Sequence, residues 1–84
     1  MTPALNKAGR ALLGWSQGRL AEAAKIAERT VAGYERGERT IHENSVDAMR
    51  RALEAAGIVI IEDGGDAGVL LRTKPAPKKA PRRE

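Results

Sequence analysis

Gly14-Trp15-Ser16-Gln17-Gly18-Arg19-Leu20-Ala21-Glu22-Ala23-Ala24-Lys25-Ile26-Ala27-Glu28-Arg29-Thr30-Val31-Ala32-Gly33-Tyr34-Glu35-Arg36-Gly37 reads as two short helices joined by a tight turn. Gly14 stops whatever helix precedes it, and Ser16 is a good N-cap for the next. Trp15, just before that cap, sits where it can staple onto Leu20 in the first turn and a half of the helix. The spacing predicts a helix over Gln17–Ala24, a break at Lys25–Ala27, and a helix over Glu28–Arg36 closed by Gly37. Leu20, Ala24, Ile26, Val31 and Tyr34 supply the apolar residues that must meet across the turn. Ala21 is small where the two helices cross. This constellation is far more specific than any one of its members. It holds the second helix proud of the body, with its outer face free.

Upstream, Ala4, Leu5, Ala8, Ala11 and Leu12 recur at helical spacing, which predicts a helix over Pro3–Leu13 with Pro3 in the first turn. Downstream, Val46, Met49, Leu53 and Ala56 form one stripe of a further helix, capped by Asn44, with Asp47 in its first turn and Gly57 ending it. At Ile58 the pattern changes. Ile58-Val59-Ile60-Ile61 and Val69-Leu70-Leu71 are β-rich runs around a turn-forming Glu62–Gly68 loop, the signature of a β-hairpin. From Lys74 onward the chain is almost wholly Pro, Ala, Lys and Arg, a composition expected to stay disordered. The expected organisation is a helical domain over 1–57, a hairpin over 58–73 and a basic tail over 74–84.

Composition narrows the class further. Eighty-four residues suffice for one small core. With no Cys there is neither a disulfide framework nor a thiolate metal site. No apolar run is long enough for a membrane span, and a cytoplasmic location is expected. Trp15 and Tyr34 are the only aromatic residues, so the core must come from Ala, Leu, Ile and Val. The net charge of +4 belongs to the tail: residues 74–84 hold five Lys or Arg and one Glu, whereas residues 1–73 hold ten basic and ten acidic residues. Overall basicity is therefore poor support for nucleic-acid binding by the body, and any positive face must come from how balanced charges are arranged. One His, no nucleophile beside a base and no phosphate-cradling Gly loop argue against an enzyme. No metal and no cofactor is expected.

The run Gly14-Trp15-Ser16-Gln17, Leu20-Ala21-Glu22, Thr30-Val31 and Tyr34-Glu35-Arg36-Gly37 resembles the core signature of lambda-repressor-like regulators, the Cro/C1-type or xenobiotic-response-element family. Leu53-Glu54-Ala55-Ala56-Gly57-Ile58, the hairpin and Gly68-Val69 resemble its single-domain members, so the likeness covers roughly residues 5–72. The resemblance implies an all-α helix-turn-helix bundle of four to five short helices, followed here by a C-terminal β-hairpin. A short extra helix would fall within 38–45.

It also implies roles. Gln17 matches a residue that braces the protein on a DNA phosphate, with the Ser16 hydroxyl and free N–H groups of the helix start beside it. Glu28, Arg29, Thr30, Ala32 and Gly33 match the exposed part of the recognition helix. Arg29 is suited to guanine O6/N7 and Glu28 to cytosine N4. Arg36 and Arg39 follow the helix toward the backbone, and Arg10 and Glu35 match a pair joining the first and third helices. Four positions depart from the pattern: Lys25 for a left-handed Gly, Ala27 for a Ser or Thr cap, Gly33 inside the recognition helix, and Ile41 for Pro. They suggest a recognition helix that stays loose until it meets DNA.

Plainer roles stand beside these. Leu20, Ala21, Val31 and Tyr34 are core residues, Arg10–Glu35 is structural, and Trp15 is a staple. Arg50 and Arg51 lie on a solvated face, and His42 is a loop residue. The hairpin is different, because Ile58 and Ile60 face one way while Val59 and Ile61 face the other, and Val69, Leu70 and Leu71 likewise occupy both sides. A hairpin packed on helices covers one face only, and an uncovered apolar face marks an interface. All seven are therefore expected at a homodimer contact that presents two recognition helices to a palindromic double-stranded operator. The leading function is sequence-specific operator binding by a transcriptional regulator, with repression as the expected outcome. The alternatives are an antitoxin that binds a partner protein and autoregulates its operon, and a helix-turn-helix scaffold that has lost DNA binding.

Overall fold

The computed structural model describes residues 1–72, so the expected disorder of the 74–84 tail lies outside the described residues. The order within them is α1 (Pro3–Leu13), α2 (Gln17–Ala24), α3 (Glu28–Glu35), α4 (Glu43–Ala55), β1 (Ile58–Asp63) and β2 (Asp66–Leu71).

Local chemistry explains most boundaries. The Thr2 hydroxyl accepts the Leu5 N–H at 3.2 Å to start α1, and Gly14 ends it at φ 70°. Ser16 caps α2 through the Arg19 N–H at 3.0 Å. Lys25 ends α2 in the left-handed region, φ 61°, a conformation that disfavours any residue with a Cβ by about 1–2 kcal/mol. Ala27 opens α3 with no side-chain cap. α4 starts two residues earlier than an Asn44 cap implies, because His42 is its cap: a His42 ring nitrogen accepts the Asn44 N–H at 3.1 Å. Residues 38–42 form no helix, with a turn at 39–40, so the described residues hold four helices and no extra one before α4.

The inner face of α1 also differs from the expected stripe. Leu5, Asn6 and Gly9 are buried, whereas Leu12 is 45 % exposed. Gly9 accounts for the close packing, since a Cβ there would stand 3.2 Å from Leu53 Cδ1 and 3.6 Å from Ile58 Cγ2. The polar Asn6 and Arg10 turn inward because a buried carboxylate, described below, meets them.

The hairpin is longer and tighter than the sequence suggests. Its strands pair antiparallel from Ile58 opposite Leu71 to Asp63 opposite Asp66. The connection shrinks to Gly64-Gly65, both left-handed at φ 58° and 91°, as a two-residue hairpin turn of the favoured hand demands. Ile58, Ile60, Val69 and Leu71 face the body, where Ile58 is buried and the other three pack on the core. Val59, Ile61 and Leu70 point away. The core itself is Leu20, Ala21, Val31, Tyr34, Met49, Leu53 and Ile58, so hairpin and helices share it, with the hairpin seated against α1 and α4.

Candidate nucleic-acid interface

The placement of α3 depends on a single carboxylate. Glu35, in its last turn, is buried and receives four hydrogen bonds. Arg10 donates from Nε at 2.8 Å and from Nη2 at 2.7 Å, Asn6 Nδ2 at 2.6 Å, and Gln17 Nε2 at 3.0 Å. Burial alone pushes this carboxyl up. The Arg10 hydrogen bonds, then Gln17, the Arg10 charge and Asn6 outweigh that effect and hold it below the ordinary glutamate range. The hydrogen bond to Glu35 in turn raises the Arg10 guanidinium. Arg10 Nη1 also donates to the Trp15 carbonyl at 2.9 Å. Two α1 side chains, the start of α2 and the end of α3 therefore converge on one acceptor. The Arg10–Glu35 pair expected from the sequence is present, and Asn6 and Gln17 join it.

With Val31, Tyr34 and Glu35 buried, the rest of α3 is sorted by helical angle. Glu28, Arg29 and Arg36 are exposed and Ala32 half-exposed, and together they make one outward strip. Thr30 is half-buried at its flank. Gly33 does not belong to the strip: it is buried. The physical reason is the loop after α3, for a Cβ on Gly33 would overlap the Glu38 carboxylate and stand 3.2 Å from Ile41 Cδ1. Gly33 is a packing position. The Glu28 carboxylate leans over α2, 3.2 Å from where a Gly18 Cβ would be, so Gly18 lets α2 and the start of α3 close together.

The start of α2 lies beside this strip through Gly18 and Glu28. Ser16 Oγ accepts from the Arg19 N–H, which leaves the hydroxyl hydrogen free to donate. Gln17 spends one amide hydrogen on Glu35 and keeps a second. Arg19, which the sequence reading passed over, stacks its guanidinium 4.5 Å from the Trp15 ring centroid. The signal was available as the Trp15/Arg19 spacing of four, but Trp15 was read only as a staple. Trp15 does pack against the core. Arg39 is exposed and without an ion pair among the described residues, whereas Arg36 is tied to Glu38 at 2.6 Å. Among the described residues no cluster of His, Asp and Glu is placed to hold a metal ion, and no helix is long and apolar enough to cross a membrane.

A helix-turn-helix family profile matches residues 7–56, more than half of the chain, and spans α1 through α4. The chain belongs to the helix-turn-helix family of Cro/C1 type. A comparison with curated protein sequences returned no match. Membership supports a DNA-binding regulator with α2 and α3 as its helix-turn-helix. The Glu35 cluster ties α3 to α1 and to the start of α2.

Proposed function

We propose that this protein binds an operator sequence specifically, as a two-fold dimer, and represses transcription from it. One observation carries the reading: α3 is anchored through Val31, Tyr34 and Glu35 while Glu28, Arg29, Ala32 and Arg36 point outward together. In that role Arg29 reads a guanine edge and Glu28 a cytosine amino group. Ser16, Gln17, Thr30, Arg36 and Arg39 meet the backbone on either side. The dimer forms through Val59, Ile61 and Leu70. Leu70 and Ile61 are 51 % and 39 % exposed, and burying such branched side chains gains up to ~1.5–3 kcal/mol each. Ile58, Ile60, Val69 and Leu71 support that face from beneath. Two copies joined this way present two recognition helices to half-sites ~34 Å apart, or a multiple of that.

The test is selection of bound duplex from a random pool, followed by titration against salt. A defined, pseudo-palindromic sequence should emerge, and with ~6–10 phosphate contacts its affinity should fall ~10³–10⁵-fold between ~50 and ~200 mM salt. Arg29→Ala should lose ~1–3 kcal/mol and relax one position per half-site. A pool that never converges refutes the operator reading. The antitoxin alternative places a partner protein on the Val59–Ile61–Leu70 face. A purified protein that stays monomeric at high micromolar concentration would favour it.

A further inference from the structure

We propose that Glu38 is a brake on phosphate binding: its carboxylate holds the Arg36 guanidinium and keeps one cation of the DNA-facing surface neutralised until DNA displaces it. The inference rests on the reading of α3 as the DNA-facing helix.

The geometry begins at the end of α3. The Gly37 N–H donates to the Tyr34 carbonyl at 3.0 Å and the Glu38 N–H to the Gly33 carbonyl at 3.0 Å, with Gly37 left-handed at φ 86°. This paired closure brings the side chains of residues 33 and 38 together, where an apolar contact usually forms. Here one partner has no side chain and the other is a carboxylate. Glu38 fills the place a Gly33 Cβ would take, and Arg36 Nη2 meets Glu38 Oε2 at 2.6 Å.

Helix stability does not explain an anion here, since the C-terminus of a helix already carries partial negative charge. Nor does the pair hold the fold, because both side chains are largely exposed, at 63 % and 44 %, and such pairs contribute little. What the arrangement does is electrostatic. Arg36 lies on the outward strip with Glu28, Arg29 and Ala32, where a phosphate would meet it, and its charge is already matched. To contact a phosphate it must leave Glu38, and the carboxylate is then left facing a polyanion. The penalty falls on every duplex alike, so Glu38 lowers affinity without choosing sequence. The described residues carry ten basic and ten acidic side chains, so one freed cation is a large change in the body's attraction to DNA.

The experiment compares native protein, Glu38→Gln, Arg36→Gln and the double variant on random duplex and on the selected operator, by titration over a range of salt. Glutamine keeps the length of residue 38 and a hydrogen bond to Arg36, so the α3 closure survives. Glu38→Gln is expected to tighten both duplexes about three- to tenfold at low salt, with the gain shrinking as salt rises. Arg36→Gln is expected to weaken binding more in the Glu38→Gln background than in the native one. Native protein that binds while Glu38→Gln binds equally or more weakly overturns the brake and leaves the α3 reading standing. A gain that persists in full in the double variant overturns it too, because Arg36 would then not be what Glu38 restrains. If neither native protein nor Glu38→Gln binds any duplex, both the brake and the DNA reading fail.

Discussion

Replacing Arg10 by Met is the sharpest test of how α3 is held. The change removes both Arg10 hydrogen bonds to Glu35 and the one to the Trp15 carbonyl. It leaves a carboxylate whose side chain is 2 % exposed, with only Asn6 and Gln17 as donors. Removing one partner of a buried pair destabilises by ~3–5 kcal/mol. A domain of this size has only ~4–10 kcal/mol of stability in all, at ~0.05–0.15 kcal/mol per residue. Arg10→Met should therefore sit near the edge of unfolding at neutral pH, whereas Arg51→Ala, at an exposed pair with Asp47, should change little.

The pH dependence carries a sign. In the native protein Glu35 is held below its unfolded value of about 4.3, so its contribution is present above that value and lost as pH falls through the lower, folded one. In Arg10→Met burial dominates and lifts the folded value above the unfolded one. The variant then regains stability as acid protonates Glu35. The gap between the two proteins should thus be widest near neutrality, begin to shrink as pH falls through the variant's raised value, and go on shrinking down through the native protein's lowered one. Urea unfolding followed by far-ultraviolet circular dichroism at several pH values measures it. The double variant Arg10→Met/Glu35→Leu should recover most of the loss. A gap under ~1 kcal/mol at neutral pH, or one that does not move with pH, would refute the role given to the carboxylate.

Lys25→Gly should raise stability by about 1 kcal/mol, because glycine adopts φ 61° without strain, and Ala27→Ser should add ~0.5–2 kcal/mol by supplying the missing cap of α3; thermal unfolding reads both. Leu70→Lys should convert a dimer to monomer in light scattering and remove the concentration dependence of the unfolding midpoint while the chain still folds, because this side chain is outside the core. Ile58→Lys, at a position 2 % exposed, should instead unfold the chain. DNA binding that recruits Arg19 should change the emission of Trp15, the only tryptophan, and Arg19→Gln should abolish that change.

The helix boundaries around the turn were legible because they are written in local chemistry: Ser16 as cap, Gly14 and Gly37 as left-handed stops, Lys25 at the position where Gly is preferred. What escaped the sequence was decided by contacts between distant elements. Gly33 has no side chain to betray its face, so only the arrival of Glu38 and Ile41 shows that it is inside. Asn6 looks solvent-facing beside Ala4 and Leu5, yet a carboxylate twenty-nine positions away draws it in. The hairpin's tip read as loop because Glu62, Asp63, Asp66 and Ala67 are polar or small, although backbone pairing over Gly64-Gly65 asks nothing of their side chains. The apolar alternation gave the two faces of the hairpin correctly. It could not say which face the helices would cover.

The side chains that anchor α3 and those that face outward lie on opposite sides of the same eight residues. On the reading proposed above, this frees one set from the other. Glu28, Arg29 and Ala32 can be exchanged without disturbing Val31, Tyr34 or the donors around Glu35. A lineage carrying this scaffold can therefore acquire a new address on the chromosome through a few codon changes and keep its melting temperature. Divergence of operators then runs ahead of divergence of fold, and two such proteins can share one genome without answering to the same sites.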